Sequence, residues 1–214
     1  MSYPFGSTAR RKVVPLEAGA GPDNPPCPAC GEPLFGWIEQ RPGLRGPVRR
    51  CESCGLGVVG DADGVGEALA ALDRSHRAEG AARIANRGAI SASLGNAGWA
   101  GLEPGAGYLF TVEAVRRLVA NRDQVVVSSR WSPGRGIALM WQTLLNGLTF
   151  GRNVALGALG RSESVPATRP WQRWLDAAIS ILATLPALLI AIPLELLAAT
   201  TRRGSVVTLR FELL

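Results

Sequence analysis

At 214 residues the chain has room for one ordinary domain or two small ones, and a hydrophobic share of 47% lets it bury a core. The formal net charge of +6 is uneven: residues 1–55 carry +2, residues 56–130 carry zero and residues 131–214 carry +4. The excess therefore sits beside the most apolar stretch and not on the cysteine-rich one, which argues against a nucleic-acid footprint and suits an anionic membrane surface.

Residues 1–26 are rich in Pro and Gly, carry the run Arg10-Arg11-Lys12, and read as a flexible basic arm. They lack the long apolar core of a secretory signal. Residues 27–60 hold all four cysteines, as Cys27-Pro28-Ala29-Cys30-Gly31 and, twenty residues on, Cys51-Glu52-Ser53-Cys54-Gly55. Each C-x2-C can wrap two thiolates around one ion, because the glycine that follows accepts the tight turn aiming backbone amides at sulfur. Four thiolates at this spacing predict a structural zinc ribbon with Cys27, Cys30, Cys51 and Cys54 as ligands. Two disulfides in a secreted domain would need a signal peptide. A redox pair would need a helix start, whereas both pairs here sit among Pro and Gly.

Leu34, Trp37 and Ile38 supply apolar packing between the two pairs, and Val58 and Val59 predict a short strand after the second. The loop between them carries Gln40, Arg41, Arg45, Arg49 and Arg50 without interleaved aromatics, so base stacking is not expected. Residues 61–98 predict one helix from about Glu67 to Glu79 with Leu69 and Leu72 inward, and no strand is expected between Gly60 and Asp123. His76, the sole histidine, falls on the solvated face of that helix, and no acid–base or nucleophilic constellation forms around it. No catalytic and no cofactor-binding residue is assigned.

Thr111 is a good N-cap for a helix whose apolar face is Val112, Val115, Leu118 and Val119, and Val125-Val126-Val127 predicts a buried strand. Residues 135–150 give a clean helical period through Ile137, Met140, Trp141, Leu144, Leu145 and Leu148. Between Ala177 and Ala199 only Glu195 is charged, with Trp171 and Trp174 before the run and Arg202-Arg203 after it, as interfacial anchors would stand. Pro186 and Pro193 predict a broken pair of helices lying at a membrane interface or against a partner; one kinked span and a buried helical hairpin are the alternatives. Val207, Leu209, Phe211 and Leu213 alternate with Thr208, Arg210 and Glu212 as a half-buried strand that pairs with Val125–Val127.

The predicted fold is α+β. A small N-terminal zinc ribbon (27–60) precedes a mostly helical region (61–214) with a short antiparallel strand pair, about 125–131 with 205–213, and apolar helices 137–150 and 170–201.

Together these pieces resemble zinc-ribbon class I S-adenosylmethionine-dependent methyltransferases, whose "CPxCG…CxxCGL" ribbon is matched by Cys27–Gly31 and Cys51–Leu56. Trp99-Ala100-Gly101-Leu102-Glu103-Pro104 followed by Tyr108–Thr111 resembles that family's loop into its penultimate helix. Val125–Ser128 resembles its sixth strand and Val206–Glu212 its antiparallel seventh. The resemblance implies a strand running into an acidic-x-Gly-x-Gly turn, which the chain lacks in context: Glu103-Pro104-Gly105-Ala106-Gly107 spells the pattern without a buried strand before it. The expected function is a non-catalytic zinc-ribbon accessory or adaptor protein derived from a methyltransferase. It would be cytoplasmic and membrane-associated, and would hold a membrane surface or a protein partner through 137–150 and 170–201. Self-association is a further use of those surfaces, whereas S-adenosylmethionine and nucleic acid are not expected ligands. The alternatives are a methyltransferase with a reduced or partner-completed cofactor site, and a zinc-ribbon membrane protein unrelated to methyltransferases.

Overall fold

The computed structural model describes residues 24–39, 44–61, 64–78 and 81–213. The basic arm, apart from its last few residues, and Gln40 and Arg41 lie outside them. In chain order the elements are β1 (Leu34–Ile38), β2 (Val48–Cys51), β3 (Gly57–Val59), α1 (Val65–Arg74), β4 (His76–Ala78), β5 (Ala81–Ala85) and α2 (Ile90–Gly95). They continue with β6 (Tyr108–Leu109), α3 (Val112–Ala120), β7 (Gln124–Trp131), α4 (Pro133–Asn146), α5 (Val154–Ala158), α6 (Pro170–Thr200) and β8 (Val206–Leu213).

The fold is mixed α and β with two antiparallel four-stranded sheets, ordered β1-β2-β3-β6 and β4-β5-β8-β7. The cysteine-bearing hairpin β1–β2 continues through β3 into β6, so the first sheet draws on residue 108 as well as residue 34. In the second sheet β8 lies between β5 and β7, with Leu209 opposite both Ala82 and Ser129. The expected pairing of the 125–131 and 205–213 segments is present, but β5 extends it on the other side of β8.

Three sequence expectations are corrected here. The helix foreseen to Glu79 stops at Arg74, where Ser75 turns its hydroxyl back onto the Leu72 carbonyl at 2.5 Å, and His76 instead enters β4 opposite Ala82. The expectation of no strand between Gly60 and Asp123 is overturned by β4, β5 and β6. Ala81-Ala82-Arg83-Ile84-Ala85 has little intrinsic strand preference; pairing with β8 imposes its conformation, as tertiary context commonly does in sheets. Finally, β7 is an edge strand, not a buried one. Val125 and Val127 point to solvent at 36% and 46% exposure, and a bulge between Val126 and Ser128 leaves Val127 out of register.

One core gathers residues from both sheets: Leu34 and Val58 from the first, Ile84, Val207, Leu209 and Phe211 from the second, with Leu69 and Leu72 of α1 and Val115 and Leu118 of α3. Cys27, Cys51 and Cys54 belong to that same cluster. A second cluster centres on Trp99, with Ile38, Val48 and Leu109. A third lies between α4 and α6, where Met140, Trp141 and Leu145 meet Ala187 and Ala191.

A candidate metal centre and an inverted helix

The four cysteines converge. Their sulfurs all lie within 4.8 Å of one another, with Cys27 Sγ 3.6 Å from Cys54 Sγ and Cys30 Sγ 3.4 Å from Cys51 Sγ. None is in a disulfide. The cluster can hold a metal ion, and the backbone around it is shaped for one. Cys27 and Cys51 each begin a tight turn whose carbonyl accepts from Gly31 N at 2.8 Å and Gly55 N at 3.0 Å. Gly31 and Gly55 sit at φ +79° and +75°, the left-handed conformation that glycine takes without strain. The Cys54 amide points at Cys51 Sγ, 3.5 Å away, as thiolate ligands favour.

Crowding governs the thiols. Hydrogen bonds with Cys30 and Cys54, with burial, push the Cys27 thiol well above the ordinary range. The bond with Cys27 holds Cys30 well below it. For Cys54 the Cys27 bond pulls down, but the Cys30 bond and burial win and leave it at about 12.

Three residues beyond the cysteines tie the centre to the domain. Thr111 donates to the Cys54 carbonyl at 2.5 Å and accepts from Ala114 N at 3.0 Å, so the α3 cap foreseen from sequence is also the strut under the second turn. Arg87 donates to the Gly55 carbonyl at 3.0 Å and stacks its guanidinium 4.3 Å over the Trp37 ring. Burial, and then the charge of Arg50, lower its pKa, while the sulfurs of Cys54 and Cys51 oppose that shift. Arg117 reaches Ser53 Oγ at 3.1 Å. A tetrathiolate site around a divalent ion carries net negative charge, and two guanidiniums beside it offset that charge. Sequence reading missed Arg87 and Arg117, because only the fold brings them to the cysteines.

Glu103–Gly107 forms a turn with Gly105 at φ +77° that leads into β6 and the Thr111 cap, with no strand before it. It walls a groove of about 1420 Å³, into which Arg74, Arg83, Arg135 and Arg161 also face. Packing around Glu103, and then the charge of Glu163, raise its carboxyl.

The second feature is α6. Sequence predicted a break; instead one helix runs 31 residues straight through Pro186 and Pro193. Its polarity is turned inside out. Asp176, Ser180, Ala187, Ala191, Glu195 and Ala198 are buried, while Trp174, Ile181, Leu182, Leu185 and Leu189 are 66–80% exposed. Both acids are fully employed. Asp176 accepts from Phe150 N at 2.7 Å and Gly151 N at 2.9 Å. Glu195 accepts from Ser205 N at 2.6 Å, Ser205 Oγ at 2.5 Å and Trp131 Nε1 at 2.9 Å. The helix is long and apolar enough to associate with a membrane, and only 17% of its most apolar window is buried.

Comparison with protein-family models, curated proteins and solved structures returns no match.

Proposed function

We propose that this chain is a non-catalytic accessory or adaptor protein: a zinc ribbon built into an α+β domain that attaches to a membrane surface through α6. The observation that carries the reading is the inverted polarity of α6. Soluble monomers rarely leave so large a contiguous apolar face in water, and the usual use of one is contact with lipid or protein. Zinc is the ion that suits four thiolates held as two knuckles. At Zn–S bonds of ~2.3 Å a tetrahedral site sets sulfurs roughly 3.8 Å apart. The 3.4 and 3.6 Å separations need only a few tenths of adjustment. The ion is structural here, since four sulfurs leave no open position for substrate.

Descent from zinc-ribbon methyltransferases belongs to the same reading. It rests on the two cysteine motifs and on the closing strand pair β7–β8. All strand pairings among the described residues are antiparallel, which suits a scaffold without a cofactor-binding parallel sheet. The test measures metal content of the purified chain and its flotation with lipid vesicles. One zinc per chain together with co-flotation is expected. A metal-free protein, or one that stays monodisperse in buffer and ignores vesicles, sinks the proposal.

A second reading, a methyltransferase with a reduced site, draws on one observation: Glu103, Gly105 and Gly107 all line the groove. Calorimetric titration with S-adenosylmethionine separates the two. Micromolar binding abolished by Glu103→Ala would favour the enzyme.

A further inference from the structure

We infer that α6 lies flat in one leaflet of an anionic bilayer, apolar face down, and does not cross it; this rests on the membrane reading above and fixes its geometry.

The helix is fastened to the same body at both ends. Asp176 is held by the backbone of Phe150 and Gly151, and Glu195 by Ser205 and Trp131. The two acids are nineteen positions apart, about 28 Å at ~1.5 Å per residue. That nearly equals the ~30 Å hydrocarbon core. A spanning α6 would carry one buried carboxylate and its partners to each surface. Everything packed between would enter the hydrocarbon, including the α4 amide network in which Gln142 donates to Asn146 at 2.8 Å and Asn146 to Asn153 at 2.9 Å.

Charge identifies the surface. Arg169 and Arg173 stand exposed at one end and Arg202 and Arg203 at the other, while the acids of the helix, Asp176 and Glu195, are buried on the inner face. A crossing helix with arginines at both ends gains nothing from the positive-inside rule. A flat one brings the exposed arginines of both ends, among them Arg169 and Arg202, to the same anionic headgroups, each worth about fivefold in partition. Trp171 and Trp174, with Phe150 edge-on to Trp171 at 5.7 Å, fit the headgroup level at one end.

The test uses the full chain carrying a fluorescent non-natural residue in place of Trp174, Leu185 or Leu196, one at a time, all exposed. Vesicles of phosphatidylcholine with phosphatidylglycerol contain lipids brominated near the headgroup or near the chain end. The same shallow depth at all three positions, with binding lost when phosphatidylglycerol is omitted, is expected. A deep position 185 between shallow 174 and 196 means a span: it overturns this geometry and leaves the membrane reading standing. Failure of every variant and the parent chain to bind any vesicle, with a stable dimer in buffer, removes both and leaves the face to a second copy of this chain.

Discussion

The hydroxyl of Thr111 bridges the carbonyl of Cys54 and the amide of Ala114, joining the second cysteine turn to the first turn of α3. Thr111→Val keeps the shape and removes both bonds, leaving the buried Cys54 carbonyl without its partner. A loss of about 1–2 kcal/mol in stability is expected from the cap and the orphaned acceptor. Bound metal should also leave faster to a chromogenic chelator. Thr111→Ser should restore both; an unchanged release rate in the valine variant would show that the strut does not bear on the metal.

Because three of the cysteines belong to the same cluster as Leu209 and Phe211, metal removal should unfold more than the ribbon. Chelation is expected to abolish a single cooperative thermal transition rather than trim a separate early one. Melting followed at far-ultraviolet and tryptophan signals together will check this; a metal-free domain that still melts cooperatively with β5–β8 intact contradicts it. The pH dependence has a defined sign. Cys27 and Cys54 are raised, so near neutral pH they hold protons that the metal must displace. Affinity should therefore rise with pH and fall as the solution is acidified, with protons released on binding. Titration in buffers of different ionisation heat measures that release.

Gly136 is where α4 comes closest to Glu195. A Cβ there would run into Glu195 Oε1 and meet Trp131 Nε1 at 2.7 Å. Gly136→Ala must push the carboxylate off its partners, and Glu195→Ala leaves the buried Ser205 amide and the half-buried Trp131 indole unpaired. Each should cost roughly 2–4 kcal/mol in denaturant titration. The double variant should cost much less than the sum, because both act on one network. Strict additivity would separate the glycine from the acid.

Arg202 sits at φ +58° just past the α6 C-terminus, where glycine is the usual residue. Arg202→Gly should raise stability by about 1 kcal/mol. The same change should weaken binding to anionic vesicles about fivefold. Opposite signs in one variant are the expected signature. Vesicle affinity that is unchanged would detach this arginine from the lipid surface.

What the sequence disclosed follows from what is local. Each C-x2-C turn, the Thr111 cap, most of the α4 period and the alternation in β8 are written in a short stretch and stand where they were expected, except that α4 ends at Asn146 and leaves Leu148 exposed. The misses are non-local. Ala81–Ala85 becomes a strand only because β8, about 125 residues later, pairs with it. Arg87 meets the cysteine cluster through the fold alone. In α6 the prolines signalled a break and Glu195 a flaw in an apolar run. Burial assigns that acid to the inner face and the leucines to the outer, an inversion no hydropathy scan of the segment discloses.

The position of β8 also dictates an order of assembly. The strand that joins β5 to β7 follows the other three strands of its sheet in the chain, and the oily α6 comes immediately before it. Until β8 emerges from the ribosome, the second sheet lacks its middle and the cysteines lack part of the wall around them, while α6 emerges just ahead of it. Biogenesis therefore has an interval in which the apolar face of α6 is out before the sheet behind it can close.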